Sequence, residues 1–236
     1  MQRENNGNQR LAKKIARSGF SSRREAEKYI NEGRVEVNGK NIFDLAFKVN
    51  ADDKIKIDGK EIRKEEKTRL WRFYKPTGVI TSHKDEMGRP NIFEVLPKNL
   101  PRLITIGRLD FNSEGLLLLT NDGNLKRKLE LPSSKILRSY KVRARGIVDE
   151  TKLSRLRKGI SINGINYRPM KIALMKQNCS NAWLSVGLIE GKNREIRITF
   201  EALGLKVNRL IRTSFGSITL EQLHIGQVEE IGADNI

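Results

Sequence analysis

Four consecutive leucines, Leu116–Leu119, lie between Gly115 and Thr120, and this apolar run constrains the fold more than any other stretch of the sequence. It is far too short to cross a bilayer, since a membrane helix needs roughly 20 apolar residues. A short apolar run that ends at turn residues, here Asn121-Asp122-Gly123, is typical of a β-strand buried in a protein interior. We therefore expect a globular core around this strand.

The overall charge points to a polyanionic partner. Among 236 residues, 46 Lys and Arg face 28 Asp and Glu, a net charge of +18, while 37% hydrophobic residues are enough to build a core. This composition excludes collagen-like, mucin-like and low-complexity chains. Nucleic acid and an anionic membrane surface are the two candidate partners. The membrane surface is disfavoured because no helix combines a basic face with a large aromatic one.

Cysteine and histidine are too scarce for metal or disulfide chemistry. The single cysteine, Cys179, cannot form an internal disulfide, which favours a reducing, cytoplasmic compartment. With only His83 and His224 beside it, no Cys/His metal cluster is expected. The first residues lack a signal peptide's apolar segment. The sequence also lacks a nucleotide-binding loop or flavin motif, so we predict neither a metal nor a cofactor.

The chain is expected to fold as an α+β protein with two domains, because strands and helices interleave without a regular βαβ rhythm. The predicted divisions are a disordered lead-in over 1–8, a small domain over 9–60, a charged linker over 61–68 and a larger domain over 69–232. In the larger domain, the patterns predict strands at Leu70–Tyr74, Gly115–Thr120, Arg138–Gly146 and Trp183–Ile189, and helices at Pro90–Leu96, at Leu125–Leu131, from an Asp149 cap to Lys158, and after an Asn193 cap.

The small domain has the features of an RNA anchor. One helix starts near Leu11 and stops at Gly19, and Ser22 with Glu25 forms a capping box that starts a second helix. Cations and hydroxyls crowd these helices and the turn between them: Lys13, Arg17, Ser21, Ser22, Arg23 and Arg24. Charge alone favours nothing more than a solvated basic face. However, Leu11–Glu27 followed by Gly33–Gly39 closely resembles the S4 RNA-binding domain of the αL type, which implies that these residues bind structured RNA.

A second resemblance covers most of the larger domain. Ile106–Gly123, which contains Gly107-Arg108-Leu109-Asp110, resembles the signature of the RsuA/RluB/RluE/RluF family of ribosomal RNA pseudouridine synthases. Further matches are Tyr74–Gly78, Ser139–Val142, Glu190–Arg197 and Val207–Arg212. The resemblance implies a mixed, largely antiparallel catalytic sheet and isomerisation of one uridine after base flipping. The details are closest to the RluB type, which acts on 23S rRNA. The implied partner is ribosomal RNA or a pre-ribosomal particle, bound by a monomer.

The same resemblance implies roles for individual residues. Asp110 supplies the catalytic carboxylate, Tyr140 stacks on the base, and Arg197 pairs with Asp110. Leu210 lies beneath the base, and Arg108 and Lys192 contact RNA. Each has an ordinary structural alternative: a turn residue for Asp110, sheet packing for Tyr140, a helix-surface pair with Glu201 for Arg197, core packing for Leu210 and solvent exposure for Arg108.

Two other functions remain open at this point. The 16S-directed type of the same family is the second candidate, and a non-catalytic ribosome assembly factor could retain the synthase fold as an RNA platform. The polar loop His83–Pro90 is expected to lie near RNA. One departure from the family is Ile198-Thr199, where relatives carry a further cation and a methionine; this is expected to weaken one RNA contact.

Overall fold

The computed structural model describes residues 8–82 and 85–232, which form two compact units. The first contains residues 8–68 with the short segments 101–103 and 121–123, and the second contains the remainder. The lead-in predicted over 1–8 lies, except for Asn8, outside the described residues, as does His83 of the predicted polar loop. Among the residues described, no helix combines the length and apolarity needed to cross a membrane.

The first unit is built from two helices and six short strands. They are β1 Gln9–Arg10, α1 Leu11–Arg17, α2 Arg23–Asn31, β2 Val35–Val37, β3 Lys40–Asn41, β4 Lys48–Val49, β5 Ile55–Ile57 and β6 Lys60–Glu61. Strands β3-β2-β5-β6 form one sheet, and β1 pairs with β4. The helices bury Leu11, Ile15 and Ile30 against the alternating valines and isoleucines of β2 and β5. The predicted capping box of Ser22 and Glu25 is confirmed.

The second unit contains the larger sheet and four helices. The strands are β7 Leu70–Lys75, β8 Ile104–Ile106, β9 Glu114–Thr120, β10 Arg138–Arg145, β11 Ile160–Ile162, β12 Ile165–Tyr167, β13 Lys171–Asn178, β14 Asn181–Leu188, β15 Lys206–Phe215, β16 Ile218–Thr219 and β17 Val228–Ile231. The helices are α3 Ile92–Val95, α4 Gly123–Glu130, α5 Glu150–Lys158 and α6 Glu195–Glu201, with a 3₁₀ turn at Pro132–Ser134.

The leucine run forms a strand in the middle of a nine-stranded sheet. The order is β13-β14-β10-β15-β9-β7-β17, with β16 beside β15 and β8 beside β9. All seven residues of β9 are buried, as the run predicts. Its pairing with β15 is parallel and its pairing with β7 is antiparallel. Because every other pairing in this sheet is antiparallel, the predicted α+β class with a largely antiparallel sheet is confirmed.

Helices α5 and α6 cover one face of β10, β14 and β15. Leu153 and Leu156 of α5 and Ile196 and Phe200 of α6 are buried with Val142 of β10. Asp149 caps α5 as predicted, since its side chain accepts hydrogen bonds from the backbone N–H groups of the first turn. This packing leaves the other face of the same strands without a covering helix among the described residues.

Two predicted helix starts are wrong. The helix expected to open with Pro90 begins at Ile92, and Asn91 caps it by accepting from the Phe93 N–H. The last helix is not capped by Asn193. Arg194 occupies the N-cap position with φ 50°, and no side chain caps the helix. A left-handed residue at position 194 interrupts the helical path, so the helix can begin only at Glu195.

Candidate active site

A cleft of about 1090 Å³ opens over the loop that joins β8 to β9, and this loop carries Asp110. Binding pockets for small ligands commonly enclose about 300–1,000 Å³, so a nucleotide fits. Asp110, Tyr140, Leu210, Arg108 and Lys192 all line the cleft. The structure therefore brings five of the predicted catalytic-domain residues together.

Hydrogen bonds to its backbone hold the Asp110 loop in place. Gly107 N–H donates to the Glu130 carboxylate at 2.6 Å. The Thr81 hydroxyl both donates to the Leu109 carbonyl, at 2.8 Å, and accepts from the Leu109 N–H. The Phe111 carbonyl accepts from the Gly78 N–H at 2.9 Å. Since successive peptide groups are fixed, the direction of the Asp110 side chain is set before any substrate arrives.

Lys75, at the end of β7, is the most buried part of this support. Its side chain is fully buried, and its ammonium group donates to the carbonyl oxygens of Pro76, Asp110 and Ser113 at 2.9, 3.2 and 2.9 Å. Burial lowers the pKa of Lys75 to about 8, while the negative charges of Asp110 and Glu114 oppose that shift. The three carbonyl acceptors replace the water that a buried ammonium loses.

Arg197 also holds this loop, but it is set back from the cleft surface. Its guanidinium donates to the carbonyl oxygens of Asn112, at 2.8 Å, and Val207, at 3.1 Å. Burial lowers the pKa of Arg197, and the charge of Arg194 lowers it further while Asp110 raises it. The predicted direct pair between Arg197 and Asp110 is therefore not the arrangement found, and Arg197 contacts the backbone beside Asp110 instead.

Arg194 is the cation that approaches the carboxylate. Its Nη1 lies 4.0 Å from Asp110 Oδ2, and both side chains are partly exposed, at 52% and 38%. Arg194 has a left-handed backbone conformation, φ 50°, at the position immediately before the helix. An exposed pair at this distance orients a carboxylate only weakly, and salt screens it.

Tyr140 and Leu210 reach the cleft from adjacent strands. Tyr140 of β10 is paired with Arg212 of β15, and Val142 is paired with Leu210. Leu210 is 6% exposed and belongs to both the core and the cleft lining. Arg212 is buried, donates to the Leu116 carbonyl at 2.6 Å, and keeps one buried nitrogen, Nη2, without a partner among the described residues. Burial lowers the pKa of Arg212, and the neighbouring Tyr140 opposes that shift.

The cleft surface is positively charged. Its lining includes eight Lys or Arg side chains and five carboxylates. One of the carboxylates, Glu195, is only 3% exposed, and burial raises its pKa. A cleft that combines an excess of cations with a fixed carboxylate suits a polyanionic substrate with one reacting group inserted.

Comparisons with known proteins identify the family to which the chain belongs. The family model described as RNA pseudouridylate synthase matches residues 69–202, which is more than half of the chain. The chain belongs to this family. The S4 domain model matches residues 9–55.

Relatives of this RNA pseudouridylate synthase match almost its full length. A Rickettsia felis protein named "Uncharacterized RNA pseudouridine synthase" is 52% identical over 94% of this chain and 96% of its own. The "Ribosomal large subunit pseudouridine synthase B" of Bacillus subtilis is 38% identical over 94% and 92%. A solved structure titled "Crystal structure of pseudouridylate synthase" superposes with a TM-score of 0.67, at 27% identity, over 95% and 96% of the two chains.

The residues predicted to contact RNA in this pseudouridylate synthase differ in whether other groups of the protein already bind their side chains. Arg108 is exposed at the cleft, whereas the Lys192 ammonium donates to the Asn166 carbonyl and lies 3.3 Å from Glu190. In the S4 unit, Arg17 donates to the Glu66 carbonyl and the Thr68 hydroxyl, at 3.1 and 3.2 Å. Arg17 therefore supports the fold rather than presenting a free cation.

The remaining predicted contacts of the S4 unit divide in the same way. Ser21 is buried, Ser22 caps α2, and Arg23 lies 3.4 Å from Glu27 one turn later. Lys13 and Arg24 have no ion-pair partner in the described part of the chain, and Arg24 is exposed to solvent. Among the predicted S4 contacts, Lys13 and Arg24 are therefore the cations without an ion-pair partner in the described residues.

Three cations at or beside the cleft were not predicted from the sequence: Lys75, Arg194 and Arg212. All three lie inside motifs that resemble the family, namely Tyr74–Gly78, Glu190–Arg197 and Val207–Arg212. A cation inside each matching motif was the available signal. The departure at Ile198-Thr199 is placed on α6, where Thr199 is fully buried and donates to the Glu195 carbonyl at 2.8 Å.

Proposed function

We propose that this RNA pseudouridylate synthase converts one uridine of ribosomal RNA to pseudouridine, with 23S rRNA favoured over 16S rRNA. The carrying observation is the Asp110 carboxylate, which lies in a basic cleft on a loop whose backbone is fixed by Lys75, Thr81 and Arg197. The choice of 23S rRNA is supported by relatives named for the large ribosomal subunit, including one from Pasteurella multocida that is 42% identical.

The reaction is an isomerisation that needs a carboxylate and a proton acceptor but no redox partner. The bond between N1 of uracil and C1′ of ribose breaks, the base turns, and a bond from C5 to C1′ forms. The proton on C5 leaves and a proton is gained at N1, so substrate and product have the same composition. Asp110 attacks or stabilises the separating sugar and base, and Arg194 contributes a weak orienting interaction with its carboxylate.

The part of the cleft that is lined by Tyr140 and Leu210 receives the base. The uridine must leave its stack, which costs a few kcal/mol, and contacts within the cleft offset this cost. Tyr140 stacks on the flipped base, and its hydroxyl takes up the C5 proton while releasing its own proton to water; Leu210 packs beneath the base. Arg108 and the other cleft cations hold neighbouring phosphates.

The two units divide the work. Residues 9–60 anchor structured RNA, 61–68 form a linker, and 69–232 carry out catalysis. Of the cations predicted to contact RNA in this anchor, Lys13 and Arg24 are the two that form no ion pair in the described residues. We expect the enzyme to act as a monomer, and a ribosomal substrate together with a single cysteine favours the cytoplasm.

The test is pseudouridine mapping of total rRNA from cells that lack this gene and are complemented with defined variants. The wild type should restore a single 23S site, Asp110→Asn should not, and Glu201→Gln should, because Glu201 is an exposed carboxylate on α6. Restoration of a 16S site would transfer the assignment to the small subunit. Full restoration by Asp110→Asn would refute the mechanism, and no site in any strain would favour a non-catalytic assembly factor.

A further inference from the structure

Four neighbouring strands of the large sheet contain no acidic residue. Strands β10, β13, β14 and β15 together hold nine Lys or Arg residues and neither Asp nor Glu. Residues 68–236 carry 29 Lys and Arg against 16 Asp and Glu, so a complete absence of acids from these strands is a local bias rather than the average composition.

Most of these cations point away from the helix-covered core. Val142 and Ala144 of β10 are fully buried beneath α5 and α6, and the alternating residues Lys141, Arg143 and Arg145 are exposed. Because successive side chains of a strand point to opposite faces, these three cations lie on the uncovered face of the sheet.

The strand register arranges this face in rows. Lys176, Trp183, Arg143 and Arg209 are paired one after another across β13, β14, β10 and β15. The next row contains Asn178, Asn181, Arg145 and Lys206. Paired residues of adjacent strands have Cβ atoms about 5 Å apart, so the rows form one continuous surface. We call this surface the basic sheet face; its cations are Lys141, Arg143, Arg145, Lys176, Lys206 and Arg209.

One carboxylate offsets part of the positive charge of the basic sheet face, and one aromatic ring lies among its cations. Arg209 pairs with the buried Glu114 at 2.6 Å, and Tyr74 donates to the same carboxylate at 3.3 Å. The other five cations have no ion-pair partner in the described residues. Trp183 is partly exposed at the centre of the rows, with the Lys141 ammonium 4.9 Å from its ring centroid.

We propose that the basic sheet face is a second binding surface for the RNA substrate, on the side of the sheet opposite the core that carries α6. It binds the sugar-phosphate backbone of an rRNA segment outside the target stem, and a base stacks on Trp183. Charge complementarity favours RNA, because unpaired cations around an aromatic ring match phosphates around a base. This inference rests on the proposed function for the identity of the RNA, but not for the existence of the surface.

The variant that tests this surface is Arg143→Gln/Arg145→Gln/Lys206→Gln. Its matched control is Lys152→Gln/Arg155→Gln/Lys158→Gln, which removes the same charge from exposed positions of α5. Affinity for a 23S rRNA transcript should fall about 10-fold in the test variant at moderate salt. The slope of log affinity against log salt concentration should decrease by about 2 to 3, since each lost phosphate contact contributes roughly 0.7–0.9. The control should match the wild type.

Kinetics separate this surface from the active site. The test variant should raise KM for long rRNA while leaving kcat unchanged, and it should process a short stem-loop as the wild type does. Of the two tryptophans, Trp71 is buried and Trp183 is partly exposed. RNA binding should therefore quench the tryptophan fluorescence of the wild type, and Trp183→Phe should lose this quenching. Equal affinity of the test and control variants for rRNA would overturn the proposal. If the test variant lost affinity only for phosphatidylglycerol vesicles and not for rRNA, the surface would instead be assigned to lipid binding. RNA affinity can be measured even if the enzyme forms no pseudouridine. A failure of the proposed function can therefore be distinguished from a failure of this binding surface.

Discussion

The Lys75 ammonium donates a hydrogen bond of 3.2 Å to the backbone carbonyl of Asp110, the residue whose side chain we assign to catalysis. The same ammonium also holds the carbonyls of Pro76 and Ser113, so one buried charge joins the end of β7 to both sides of the Asp110 turn. A buried lysine without a direct carboxylate partner is costly. Its location indicates that the position of Asp110 depends on it.

Replacing Lys75 with methionine should therefore reduce catalysis more than binding. Lys75→Met removes the donor from three carbonyls, and a displacement of about 1 Å in a reacting group can lower a rate roughly 100-fold. We expect kcat to fall by about that factor, with KM changed less than threefold. Steady-state assays of pseudouridine formation check this, with Lys98→Met as an exposed control. Wild-type kcat in Lys75→Met would show that the loop is held without it.

The same lysine predicts opposite pH dependences for activity and stability. With a pKa of about 8 instead of the ordinary 10.5, Lys75 loses its proton in the folded enzyme first. The neutral amine has two N–H donors for three carbonyls, so kcat should fall as the pH rises through about 8. Between about pH 8 and 10.5 the unfolded chain binds more protons at this site than the folded chain. The contribution of Lys75 to the free energy of unfolding should therefore become more favourable as the pH rises through that window.

Urea unfolding of the wild type and Lys75→Met from pH 7 to 10 isolates this contribution. The difference in unfolding free energy between the two proteins should shift in favour of the wild type with rising pH. A difference that stays constant over this range would mean that the pKa of Lys75 is not lowered.

Local features of this fold were predictable where neighbours in sequence determine them. The buried leucine strand, the Ser22–Glu25 capping box and the Asp149 cap each depend on residues within a few positions of one another. The functions of Lys75 and Arg17 were not predictable in that way, because their partners are distant in sequence: Asp110 and Ser113 for Lys75, Glu66 and Thr68 for Arg17. Nothing in a local pattern records such contacts.

The arginine that faces Asp110 was missed for a related reason. In a helix each residue advances about 100°, so the start of α6 decides which side chains face the cleft. A start at Glu195, after the left-handed Arg194, sends Arg197 to the loop backbone and leaves Arg194 beside the carboxylate. Family resemblance named the motif, but only the backbone conformation distinguishes its two arginines.

Substitutions of Arg194 and Arg197 should therefore have different effects on kcat and on stability. Arg194→Gly removes the cation nearest Asp110 but relieves a left-handed backbone, so it should lower kcat about 3- to 10-fold while raising stability by up to about 1 kcal/mol. Arg197→Ala removes the donor from the Asn112 and Val207 carbonyls, so it should lower stability by about 1 kcal/mol and kcat about 100-fold. Thermal unfolding and single-turnover assays measure both effects. Equal behaviour of the two variants would contradict the distinct contacts.

Ser22 allows a structural role to be separated from RNA binding in the S4 unit. Its hydroxyl accepts from the Glu25 N–H at 3.1 Å, and the Glu25 carboxylate accepts from the Ser22 N–H at 2.8 Å. Ser22→Ala should lower the unfolding free energy by about 1 kcal/mol, and Ser22→Asn should recover most of it because asparagine also caps helices. If capping is the function of Ser22, RNA affinity measured well below the unfolding transition stays at the wild-type value in both variants. Arg24→Gln should show the reverse, about a twofold to fivefold loss of affinity with unchanged stability, because Arg24 is exposed and its loss removes one phosphate contact. A Ser22→Ala protein that keeps its stability but loses RNA affinity would instead make the hydroxyl a direct RNA ligand.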